Sequence, residues 1–239
     1  MDEFETRLPD EISFEQWVDH VFDHDDRDWH WKTDRLWWDD EKNSALALEF
    51  MTRLFSSPTF LKERFSSNQI GAGLWFIVNN SCSNHAFAML DDDLPLDQRL
   101  DCINAISTLF ESLLAEICLS RHSHGRRGTP PDDTAAQSLC YMFWDVIPLY
   151  ARSRSSFAKE EVSANLEDHE RMEAACLDAM ERTLKVENTA CQEAALHGLG
   201  HWANAYPEKV RPIIDAYLRT EPPAELVSYA RAARSGAVL

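Results

Sequence analysis

His197 and His201, four residues apart in the run AALHGLGHWANAYP, are the side chains whose type and spacing best suit chemistry. On a helix, positions i and i+4 share a face, so two imidazoles there can offer nitrogens to one metal ion. Glu193 stands one turn earlier and completes the candidate set Glu193, His197, His201. The pair is not a His-Glu-x-x-His motif, so the carboxylate that serves a metalloprotease as general base is missing from its usual place. The plainer chemistry is an imidazole at the surface or between helices, hydrogen-bonded to a neighbouring carboxylate. His20 and His24 repeat the spacing, followed by Asp25, Asp26 and Asp28. Asp23-x-Asp25 resembles the start of a calcium loop, but Arg27 occupies the third ligand position and no glycine follows. The sequence holds no Gly-x-Ser-x-Gly elbow and no glycine loop of the kind that cradles phosphate. The basic run Arg121–Arg127 reads as a solvated linker.

The elements that must position these residues are helices. With 239 residues the chain is long enough for one sizeable core. Only 7 glycines are present, too few for a sandwich or barrel with many tight turns. Ser13 with Gln16 forms a capping box, and Phe14, Trp17, Val18, Val21 and Phe22 follow as one apolar stripe. Further helices are expected at about 43–56, 67–79, 96–120, 134–147 and 169–184, then as a pair within 189–220, and finally at 223–234. The whole is expected to be a single α-helical domain: an acidic, Trp-rich cap over 1–42, a first helical half over 43–120, a basic linker at 121–133 and a second half over 134–239. The six cysteines form no CxxC pair and read as small buried hydrophobes of a reducing compartment. The acidic N-terminus and the lack of a long apolar run point to a cytoplasmic chain without a membrane span.

Net charge narrows the partners. At −18 the surface repels nucleic acid, whose binding needs Lys and Arg to displace counterions. Residues 1–50 alone carry sixteen Asp or Glu against five Lys or Arg. A field of that sign steers a basic partner, raising association rates by roughly 10 to 1,000-fold.

Within 189–220 the pattern Leu199-Gly200, then Pro207, Val210 and Pro212, then Ile213, Ile214, Tyr217 and Leu218, resembles a HEAT-type repeat. The resemblance implies an all-α, HEAT-like helical-hairpin array (an α-solenoid or irregular α-α superhelix) with an irregular N-terminal cap. Such arrays present extended surfaces to partner proteins. By size, charge and architecture the chain is similar to bacterial immunity proteins that neutralise secreted toxins, or to adaptors. Two HEAT-like enzyme classes fit less well. Deoxyhypusine hydroxylase uses several His-Glu dipeptides where this chain has only His169-Glu170, and DNA glycosylases of this type need a basic groove. The expectation is therefore a non-enzymatic module without cofactor that binds a basic protein. Its partner-binding residues are expected to be Asp25, Asp26, Asp28, Trp29, Trp31, Asp34, Asp39 and Asp40. The alternatives are a metal-binding enzyme or sensor using His197 and His201 with Glu193, and a structural adaptor subunit.

Overall fold

Ser13 and Gln16 open the first helix as the sequence demands: the Ser13 hydroxyl accepts from the Gln16 amide at 3.2 Å, and Gln16 Oε1 accepts from the Ser13 amide at 2.9 Å. The computed structural model describes residues 12–23, 43–119, 135–151 and 166–238, and among these no strand occurs. The helices are α1 Phe14–Phe22, α2 Ser44–Ser56, α3 Leu61–Arg64, α4 Ser67–Val78, α5 Leu96–Leu109, α6 Ala115–Ile117, α7 Ala135–Val146, α8 Leu166–Thr183, α9 Thr189–Ala203, α10 Pro207–Leu218 and α11 Ala224–Arg234. Short 3₁₀ turns stand at Pro58–Phe60 and His85–Leu90, and a π-helical turn at Phe110–Leu114 joins α5 to α6. Ser66 and Gln69 repeat the capping box at α4. The linker expected at 121–133, residue 24 onward of the expected cap and all eight expected partner-binding residues lie outside the described residues.

Packing runs in two rows. α2, α5 and α8 lie one against the next, as do α1, α4, α7, α9 and α11, while α8 and α10 both contact α9. The first row is tied by Arg99 on α5, which is almost fully buried, bonds Asp92 at 2.9 Å and reaches Asp168 on α8 at 3.5 Å. At the α1 end, the Trp17 indole donates to His85 Nε2 at 3.0 Å, which leaves the ring proton on Nδ1, 3.0 Å from Ser83 Oγ. Ser83 in turn donates to the Phe76 carbonyl at 2.6 Å. Burial, with His20 nearby adding to it, lowers the His85 pKa to about 3.

Asn188 starts α9 and also holds it in place. Its Oδ1 accepts from the amides of Ala190 and Cys191 at 2.9 and 3.2 Å, and its Nδ2 donates to the carbonyls of Ala115 and Cys118, each at 2.9 Å. Pro207 takes the first position of α10, where a missing N–H costs nothing, so Pro212 lies inside the helix rather than starting it. All six cysteines are free thiols, five of them buried. No helix among the described residues is long and apolar enough to cross a membrane.

Two expectations change. The helix expected at 96–120 is broken by the π turn and ends at Ile117. α9, whose His197 and His201 were expected to share one face with Glu193, is enclosed on several sides: eleven of its fifteen residues are buried, His197 among them, while Glu193 and His201 are not. Neighbours on several sides leave α9 no wholly outward face.

Candidate metal centre

The centre forms where α7 crosses α9. Gly198 makes that crossing close: a Cβ there would sit 2.7 Å from Trp144 Cγ and 2.8 Å from Trp144 Cβ. Because Trp144 lies against the backbone of α9, the next residue, Asp145, arrives beside the two histidines. Asp145 Oδ2 lies 2.7 Å from His197 Nε2, and Oδ1 lies 3.1 Å from His201 Nε2. The two Nε2 atoms are 3.2 Å apart. Among the described residues this is the group of three side chains whose ligand atoms all lie within 4.8 Å of one another.

Burial grades across the group. The His197 side chain is 1% exposed, Asp145 20% and His201 46%. The back of the site is therefore sealed and its front is open to solvent. Behind His197, Nδ1 meets the Tyr229 hydroxyl of α11 at 2.6 Å, and that hydroxyl lies 3.2 Å from the hydroxyl of Tyr141, one turn before Asp145 on α7. The Tyr141 ring covers the His197 imidazole at a centroid distance of 4.5 Å. Burial raises the Tyr229 pKa, with the Tyr141 hydroxyl, Glu193 and Asp145 adding to the effect. Burial likewise raises Tyr141. Both phenols stay protonated at neutral pH.

The donor set suits a divalent transition metal. Around tetrahedral zinc, with bonds of about 2.0–2.1 Å, neighbouring ligand atoms stand about 3.3 Å apart. The two Nε2 atoms already span one such edge at 3.2 Å, while the carboxylate meets them through different oxygens, Oδ2 at 2.7 Å from His197 and Oδ1 at 3.1 Å from His201, so one of these oxygens has to turn between the imidazoles to accept such an ion. Two imidazoles and one carboxylate also match the borderline ligand preference of zinc, iron(II) and cobalt(II). With protons in place of a metal, the same three groups form a carboxylate flanked by two imidazoles, the inter-helix arrangement that is the plainer reading of the sequence.

Of the residues singled out from the sequence, His197 and His201 meet. The carboxylate that joins them is Asp145 from α7, and Glu193 is not one of the three. Glu193 acts on the surroundings, its charge helping to raise both tyrosines. His20 lies on α1 with its ring 6.4 Å from that of Phe76, and His24 is outside the described residues. Asp145 and Tyr229 escape sequence reading because neither belongs to a spaced motif. The one available signal was Gly198, which marks a close neighbour without naming it. No family model, curated protein or solved structure matches this chain.

Proposed function

We propose that this chain is a metal-dependent helical protein that holds a divalent transition metal through Asp145, His197 and His201. The observation that carries this reading is the convergence of three ligand atoms from two helices, with His197 anchored from behind and the front open. A structural zinc site is closed by four protein ligands, whereas three ligands plus solvent is the pattern of sites where the metal activates water or takes an exchangeable donor. The open front of this site supports the second kind. Untagged protein is expected to carry close to one equivalent of metal or to take it up from zinc or cobalt(II). Uptake at 100 times the dissociation constant stabilises the fold by about 2.7 kcal/mol. His201→Ala, at the most exposed ligand, should remove that stabilisation while leaving the metal-free melting temperature nearly unchanged. Less than about 0.2 equivalents bound, with no change in melting temperature on adding zinc, would sink the proposal.

A second reading rests on charge. The concentration of acid in residues 1–50, joined to a two-row helical array, supports a HEAT-like binding module that engages a basic protein as an immunity or adaptor protein does. It uses Asp25, Asp26, Asp28, Trp29, Trp31, Asp34, Asp39 and Asp40. Charge reversal at Asp25, Asp26 and Asp39 that left partner affinity and its salt dependence unaltered would refute it.

A further inference from the structure

We propose that Tyr229 is the positioning residue of this centre: its hydroxyl holds the His197 ring through Nδ1 in either tautomer and so ties metal occupancy to the seating of α11 on α9. The inference rests on the metal reading above and adds to it a residue from a third helix. Three observations support it. Tyr229 bonds the one ligand that is fully buried, at 2.6 Å. Its ring lies parallel to the His197 imidazole, with an interplanar angle of 5°. It reaches back to α7 through the Tyr141 hydroxyl at 3.2 Å. A metal-bound imidazole orients itself by donating its other N–H to an acceptor, and such partners shift metal affinity by about 10 to 100-fold.

A hydroxyl both donates and accepts, which lets Tyr229 serve both states of the site. With the neutral His197 ring protonated on Nε2, that proton faces Asp145 and the Tyr229 O–H donates to Nδ1. When a metal takes the Nε2 lone pair, the Nε2 proton leaves to solvent and one is taken up on Nδ1, so the neutral ring keeps a single proton. Nδ1–H then donates to the Tyr229 oxygen, and the Tyr229 hydrogen turns to the Tyr141 oxygen. A phenylalanine at 229 keeps the ring and loses this exchange.

Cobalt(II) titration of the full chain tests the assignment by affinity and visible absorption. Tyr229→Phe is expected to weaken cobalt binding about 10 to 100-fold and to change the absorption spectrum. Tyr141→Phe, which leaves the Tyr229–His197 bond in place, should weaken it by less. Hydrogen exchange over 224–234 is expected to slow on metal addition in the wild type and not in Tyr229→Phe. Wild-type affinity and spectrum in a folded Tyr229→Phe variant would overturn the inference. Should that variant fail to fold, nitrogen-15 NMR of the metal-loaded wild type decides. A protonated, hydrogen-bonded Nδ1 on His197 supports the assignment, and ligation through Nδ1 overturns it. A wild type that takes no metal defeats the functional reading and this inference together, whereas binding that ignores the tyrosine defeats this inference alone.

Discussion

Gly198→Ala should damage the proposed metal centre without touching a ligand. The added methyl would lie 2.7 and 2.8 Å from Trp144 Cγ and Cβ and 3.0 Å from Met180 Sδ. Carbon atoms in contact prefer about 3.5–4.0 Å, so one helix must retreat by about 1 Å. Trp144 Cβ is one bond from the α7 backbone, so no rotamer change relieves the contact and α7 itself has to move. Overpacking of this kind costs about 1–3 kcal/mol, against about 1 kcal/mol gained in helix propensity, for a net loss of about 1 kcal/mol. The larger effect falls on Asp145, which moves with Trp144. Its 2.7 Å contact to His197 opens beyond ligand spacing, and metal affinity should fall at least tenfold, about 1.4 kcal/mol. Gly200→Ala is the comparison on the α11 side of α9. Its methyl would meet the Cγ atoms of Val238 at 2.5 and 2.6 Å and the Ala233 Cα of α11 at 3.2 Å, rather than Trp144. That variant leaves the α7 crossing in place, so its loss of metal affinity should be smaller than that of Gly198→Ala. Isothermal titration with zinc, paired with urea unfolding in EDTA, reads both quantities. Wild-type metal affinity in Gly198→Ala would refute the claim that backbone closeness at this crossing builds the site.

Two further outcomes follow from buried polar groups outside the centre. His85 has its pKa lowered from 6.5 to about 3, so the unfolded chain takes the proton first, and its contribution to stability is full above about pH 6.5 and drains away as pH falls towards 3. At about 1.4 kcal/mol per pH unit the loss is about 2 kcal/mol by pH 5, and His85→Gln should flatten that limb of urea midpoint against pH; equal slopes in the two proteins would count against it. Asn188→Ala removes a helix cap and strands the Ala115 and Cys118 carbonyls, so it should cost about 2–4 kcal/mol in chemical denaturation, and a loss under about 1 kcal/mol would contradict that account.

The helices were legible where local chemistry decides them. Ser13 with Gln16 places the start of α1, and Pro207 with the preceding glycine-rich helix places the corner between α9 and α10. The π turn at 110–114 was not legible, because one inserted residue leaves the apolar spacing on either side intact. The 3₁₀ segment His85–Leu90 escaped because it lacks a side-chain cap. In α9 the sequence does carry a signal: TACQEAALHGLGHWA is small or apolar on nearly every side, the composition of a helix enclosed all round. The histidine pair was visible as a spacing, but its carboxylate stands 52 residues away in sequence on another helix. Only tertiary packing joins them, and a single sequence carries no record of it.

α9 also has consequences for the order of assembly. Its contacts with α8, α10 and α11 join segments close in sequence, while Asp145 on α7 must come from 52 residues away. Closing a longer loop costs chain entropy, rising only slowly with its length, and the three side chains meet only once α7 has docked on α9. Until it does, α9 presents two imidazoles and no carboxylate. On the proposed metal reading, an ion would then report the docking of α7, and a chain in which α7 has not docked would fail to hold it.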